Sequence, residues 1–191
     1  MNDRFIDGNL IILYALSKTS LTQDGLPDHI LNRIKLCVNI HGLIMRSKPD
    51  KNRTVIYIVT NLDYLGYVKE KLLMAKIGQD NLVVDTKSKN VRQTCDQIIR
   101  YLKGRVNPPK IYFVGSTWQR ESFESNSLTK LEGHVVQFEG ALDSRSVAEI
   151  DKENAADAPK KGIQIYKKQA KGKAANLLLN ILFQNRSEAK R

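Results

Sequence analysis

The sequence is poor in the features that staple, anchor or arm a protein. Its 191 residues include two cysteines, Cys37 and Cys95. A pair can neither build a disulfide framework nor, by itself, hold a structural zinc. No segment approaches the ~18 consecutive apolar residues that read as a membrane span. The run Leu10–Leu16 has only seven, with no basic stretch before it and no small-residue cleavage site after it. Glycine-rich phosphate loops are missing as well. Neither GxxxxGK[ST] nor GxGxxG occurs, and the first apolar run ends Tyr14-Ala15-Leu16-Ser17, without glycines for close approach to a pyrophosphate. This argues against ordinary P-loop or dinucleotide chemistry. No internal repeat is evident. The chain reads as a soluble, cytoplasmic protein with reduced cysteines.

What is present is ordinary globular composition, 41% hydrophobic and 27% charged, with an excess of positive charge. That composition argues against a disordered, collagenous or coiled-coil chain. The net charge of +11 is uneven. Residues 1–139 carry 20 basic and 14 acidic side chains, residues 140–159 carry 2 and 5, and residues 160–191 carry 9 and 1. The basic excess is therefore concentrated at the C-terminal end.

Two hydrophobic periods alternate along the chain. Continuous apolar runs at Asn9–Leu16, Thr54–Val59, Asn81–Asp85, Lys110–Gly115 and His134–Phe138 predict strands. Between them lie segments of helical spacing. Ile30, Leu31, Ile34, Cys37, Val38, His41 and Met45 follow Pro27, and His41 reads as a packed core residue. Leu65, Val68, Leu72 and Ala75 follow Thr60-Asn-Leu-Asp63, in a helix expected to end near Gly78. Val91, Cys95, Ile98, Ile99 and Leu102 form a clean amphipathic face, and Ser116-x-x-Gln119 fits a capping box opening a helix to about Lys130. Such a βαβα series predicts an α/β fold: a three-layer Rossmann-like domain of about five mainly parallel strands. The expected division is a domain at 1–140, an acidic and polar linker at 141–162 with a short helix near Val147, and a basic extension at 163–191. That extension holds a short strand at Ile163–Tyr166 and an amphipathic helix at Lys173–Gln184.

Ligands of open parallel sheets bind outside the carboxyl ends of the strands. Four loops fall there: Leu16–Gly25, Thr60–Tyr64, Asp85–Val91 and Gly115–Ser122. Their hydroxyls, amides and cations, with helix N-termini behind them, suit a phosphate or carboxylate. Ser17, Thr60 and Asn61 are candidate ligand contacts on this ground, although Ser and Asn at helix starts also serve as plain caps. None of His29, His41 and His134 falls in these loops, so no Ser-His-Asp set is visible. Asp24, Asp63 and Asp85 have no spacing that demands a metal.

Four landmarks resemble the family of the YdcF, SanA and ElyC proteins, over roughly residues 9–139. The strand Leu10–Leu13 leads through Asp24-Gly25 to a helix bearing Arg33. Thr60-Asn61 precedes a helix ending Ala75-Lys-Ile-Gly78. Asn81–Asp85 is followed by Ser88-Lys-Asn90, and Ile111-Tyr-Phe-Val-Gly-Ser116 completes the set. Where that family has glycines after its first two strands, this chain has Tyr14-Ala15-Leu16 and Thr60-Asn61; where it has a His after the fourth strand, this chain has Gln119. The resemblance implies a Rossmann-like domain binding a small anionic or nucleotide-like molecule, with Arg33, Ser88, Asn90 and Ser116 lining the cleft. Whether any reaction accompanies binding, and with what cofactor, stays open. The alternative is an interaction or nucleic-acid-binding protein on the same scaffold. There Lys167, Lys168, Lys171 and Lys173 would contact phosphates, or the apolar helix Ala174–Phe183 would dock on a protein or a membrane surface.

Overall fold

The apolar run that begins at Leu10 is the middle of the sheet. In a computed structural model that describes residues 8–23, 25–47, 53–104, 109–127, 131 and 133–157, the strands are β1 (Gly8–Ala15), β2 (Arg53–Thr60), β3 (Leu82–Asp85), β4 (Lys110–Ser116) and β5 (Val136–Ala141). They form one five-stranded sheet in the order β3-β2-β1-β4-β5, with every pair parallel. A parallel strand needs a crossover to reach its neighbour, and helices supply it: α1 (Asp28–Ser47), α2 (Leu62–Met74), α3 (Val91–Leu102) and α4 (Arg120–Ser127). A fifth helix, α5 (Val147–Asp157), follows the last strand.

Alternation along β1 builds a core on each face. Leu10, Ile12 and Tyr14 pack with Cys95 and Ile98 of α3 and Phe123 of α4. Ile11, Leu13 and Ala15 pack with Ile30, Ile34 and Cys37 of α1 and Val68 and Leu72 of α2. Fully burying a large aliphatic side chain is worth roughly 1.5–3 kcal/mol, so a central strand with both faces covered is the strongest element of the domain. Phe113 stacks on Phe123 at 4.1 Å between ring centroids and lies 5.8 Å from Phe138, tying β4 to α4 and β5.

Several local expectations shift in register. On α1 the buried face is His29, Ile30, Arg33, Ile34, Cys37, Ile40 and Ile44. His29 and Arg33 turn inward because the sheet end offers them hydrogen-bond partners. His41, expected in the core, is only half-buried, and Met45 is exposed. The end of α2 is closed by Lys76, at φ 62°, rather than by Gly78. Lys76 N–H donates to Leu73 O and Ile77 N–H to Leu72 O. This is a Schellman closure, and it falls where it does because its apolar contact joins Ile77 and Leu72, both buried in one cluster. After β4 the chain makes a 3-10 turn, Thr117–Gln119, before α4 begins.

That turn depends on two glycines. A Cβ on Gly115 would lie 2.8 Å from Gln119 Oε1, and one on Gly140 would lie 3.1 Å from the Thr117 Cα. Gly115 and Gly140 are register partners on β4 and β5. Together they leave the space into which residues 117–119 fold.

The segment after β5 belongs to the same compact unit as the sheet, a unit that ends at Asn154: Asp143, Arg145 and Glu153 make hydrogen bonds to one another and to the strand ends. The expected strand at 163–166, the helix at 173–184, and Lys167, Lys168, Lys171 and Lys173 lie outside the described residues.

Candidate functional site

The strand order reverses at β1, where the chain leaves once toward β2 and returns to β4 on the other side. In open α/β sheets, the crevice at this reversal is where ligands bind. Here it is filled by a polar network built around one guanidinium.

Arg33 is wholly buried. Its Nη1 donates to the carbonyls of Tyr14 and Leu16, both at 3.0 Å, at the carboxyl end of β1. Its Nε and Nη2 donate to Ser116 Oγ at 3.0 and 2.8 Å. Ser116 Oγ in turn donates to Asp143 Oδ2 at 2.7 Å, and that carboxylate lies 3.8 Å from Arg33 Nη2. Burial brings the Arg33 pKa down to about 10, with Glu153 and Asp143 opposing the shift, so the group stays charged at neutral pH. An unpaired buried cation would cost several kcal/mol. The carboxylate of Asp143 is what makes this one tolerable.

Asp143 also accepts from Trp118 Nε1 at 2.9 Å and from Arg145 Nε and Nη2 at 2.8 and 2.7 Å. Burial alone would raise its pKa. Hydrogen bonds from Arg145, Ser116 and Trp118 outweigh burial and hold the pKa well below the usual carboxylate range. Arg145 reaches on to Glu153 of α5. Glu153 Oε2 is 3.3 Å from Ser17 Oγ, which closes the network at the end of β1.

Ser17 and His29 meet despite the expectation that no histidine serves these loops. His29, in the first turn of α1, places Nε2 3.0 Å from Ser17 Oγ. Burial first, then the positive charges of Arg33 and Arg145, lower the His29 pKa to about 4, so the ring is neutral at pH 7. A neutral imidazole beside a hydroxyl is the pairing of base and nucleophile. Ser17 Oγ, however, also accepts from Thr19 N–H at 3.2 Å and faces Thr19 Oγ1 and Glu153 Oε2. With one donor and two lone pairs, that hydroxyl is saturated. It ties the turn together.

Asn61 was expected to line the cleft or cap α2. It stands at the N-cap position without making the cap bond; its Nδ2 donates instead to Ser17 O at 2.6 Å. Thr60 is wholly buried and its Oγ1 has no partner. Ser17, Arg33, Thr60, Asn61 and Ser116 thus gather at the ends of β1, β2 and β4. Ser88 and Asn90 do not join them, since β2 separates β3 from β1. Ser88 bonds to Asp85, which also accepts Lys87 N–H at 2.8 Å. Asn90 Oδ1 caps α3 by accepting Gln93 N–H at 2.9 Å. Beside them lies an open depression of about 260 Å³ lined by Lys87, Ser88 and Arg100 among others. Among the described residues, no group of three His, Cys, Asp or Glu side chains could hold a metal ion.

Sequence reasoning missed Asp143, Arg145, Glu153, Trp118 and His29 as members of the site. One signal for α5 was present. Ser146-x-x-Glu149 is a capping box, and in the structure Ser146 N–H donates to Glu149 Oε2 at 3.0 Å while Glu149 N–H donates to Ser146 Oγ at 3.4 Å. Nothing in the sequence pairs Asp143 with Arg33, because only the fold brings β4, α1 and the segment after β5 together.

The all-parallel sheet in this order, with helices on both faces, defines an α/β protein of the Rossmann-like class. Compared with protein-family models, with curated proteins and with solved structures, the chain matches none. No helix among the described residues is long and apolar enough to cross a membrane.

Proposed function

We propose that the protein binds a small anionic molecule, of the carboxylate or phosphate type carried by nucleotide-like ligands, at the reversal point between β1 and β4. One observation carries this reading: a fully buried guanidinium, Arg33, sits beside a hydroxyl and an indole N–H that all point at one carboxylate. Buried cations are costly unless matched, and a fold that keeps one at its usual ligand crevice has the chemistry of an oxyanion site. The resemblance of residues 9–139 to the YdcF, SanA and ElyC proteins points the same way. A ligand that binds only the folded state raises the melting temperature by mass action. Phosphate, dicarboxylates and mononucleotides should therefore shift the wild type at fixed ionic strength, and Ser116→Ala should lose the shift. No shift with any of them sinks the reading.

A second reading rests on charge. Residues 160–191 carry 9 basic and 1 acidic side chains, which suits sequence-indifferent binding to nucleic acid. Its test is RNA and DNA binding across a salt series, with Lys167, Lys168, Lys171 and Lys173 replaced by Gln in the full chain. Affinity that ignores both salt and substitution rules it out.

A further inference from the structure

The carboxylate at the centre of the network belongs to the chain itself. Asp143 lies just beyond β5, in the segment that leads to α5. Its partners come from elsewhere: Ser116 at the end of β4, Trp118 in the following turn and Arg33 on α1, at 2.7, 2.9 and 3.8 Å. A hydroxyl, an indole N–H and a guanidinium converging on one point are the donors that an incoming oxyanion would need.

The segment carrying Asp143 has little apolar hold on the domain. Leu142 is 82% exposed and Val147 74%. From Leu142 to Glu153 no apolar residue is buried; the side chains that go inside are the charged ones of Asp143, Arg145 and Glu153. Its ties to the rest of the domain are polar: Asp143 to Ser116, Trp118 and Arg33, Ser17 Oγ to Glu153, and Asn32 Nδ2 to Leu142 O at 3.2 Å. Elements with few buried apolar contacts open locally at low cost. Bonding capacity also stands unspent at the same edge. Thr60 Oγ1 at the end of β2 and Gln119 Nε2 after β4 belong to wholly buried residues and have no partner. Buried polar groups without a partner are rare in folded proteins.

Charge completes the argument. Asp143, Arg145 and Glu153 are all on the segment, so it can leave with its own ion pairs intact. What stays behind is Arg33, a buried cation in need of an anion.

We propose that residues 142–153 are a displaceable occupant of the anion site. The Asp143 carboxylate stands where the carboxylate or phosphate group of a ligand binds, and the ligand takes over Ser116, Trp118 and Arg33 by driving the segment away. This rests on the anion-binding reading above and adds that the site regulates itself. The apparent affinity is lowered by the fraction of molecules in which the segment is closed.

The experiment uses the full chain with inorganic phosphate and with acetate, against chloride at equal ionic strength. Phosphate should raise the melting temperature of the wild type and at the same time speed amide exchange several-fold across residues 144–153. Ser146→Ala removes the cap of α5, changes no charge and leaves Ser116, Trp118 and Arg33 in place; by loosening the segment it should tighten phosphate binding on the order of tenfold. Glu153→Gln, which cuts the ties to Ser17 and Arg145 and also removes a negative charge that acts on Arg33, should act in the same direction and serves if the first variant folds poorly. Acetate giving the same pattern assigns the site to carboxylates as well. Binding that is equal in wild type and both variants, with exchange of the segment unchanged, overturns displacement and leaves anion binding standing. Absence of binding in wild type and in both loosened variants overturns the anion site itself.

Discussion

At the scale of single residues, burial and charge assign each member of the network a protonation state, and that has a measurable consequence. His29 titrates at about 4 in the folded chain against an ordinary 6.5. Between those values the unfolded chain binds a proton that the folded chain does not. The His29 contribution is therefore complete above pH 6.5 and is lost as pH falls toward 4. Asp143, held below the usual carboxylate range, withdraws a further contribution as pH falls below that range. Urea unfolding from pH 7.5 down should show stability falling first in the His29 window, and His29→Asn should flatten that part of the profile. A wild-type profile flat from pH 7 to 4.5 contradicts the assignment. Arg33→Met should destabilise by roughly 3–5 kcal/mol, because it strands Asp143 without its buried cation and removes the donor that Tyr14 O and Leu16 O share. A loss under 1 kcal/mol in equilibrium unfolding would mean that the network is not structural. The sequence marks Arg33 as a residue of interest only through a resemblance. A lone Arg on a helix is normally solvated, and its burial depends on acceptors from a strand and from the segment after β5.

At the scale of elements, the glycines separate tight sites from open ones. Gly115→Ala should cost roughly 1–3 kcal/mol, since its Cβ would meet Gln119 Oε1 at 2.8 Å and Phe113 at 3.2 Å. Gly66, exposed in the middle of α2, has nothing within 4 Å of a new Cβ. Gly66→Ala should stabilise by about 0.5–1 kcal/mol through helix propensity and reduced freedom of the unfolded chain. Thermal unfolding of the two variants should give shifts of opposite sign; shifts of the same sign would refute the account of the Thr117–Gln119 turn. Most elements were legible before any fold was seen. The face of α3 reads directly from Val91, Cys95, Ile98 and Leu102, with Ile99 turned aside. The face of α1 reads less well, because its stripe includes His29 and Arg33, which hydropathy places outside. The ends of α2 and β5 shifted by a few residues because Ile77 and Phe138 are drawn into clusters that local pattern cannot see.

At the scale of the whole molecule, stability should be graded outward from β1. Leu10, Ile11, Ile12 and Leu13 are wholly buried between two helical layers. Native-state hydrogen exchange should show the β1 amides opening only with global unfolding, with a steep urea dependence, and α5 opening locally with little urea dependence. Equal protection of the two would mean that α5 is part of the cooperative core. The sequence by itself determined the class of the fold: apolar runs too regular for anything but buried parallel strands, helical stripes between them, and loops rich in hydroxyls and amides at one edge. These are local quantities, carried by the period of hydrophobic residues along the chain. The tertiary structure decided the strand order and the reversal point at β1. It also decided the meeting of Arg33, Ser116 and Asp143, three residues whose partnership depends on which ends of which elements come together. Periodicity ranks burial along one chain segment at a time; the free energy of a buried charge depends on partners supplied from others.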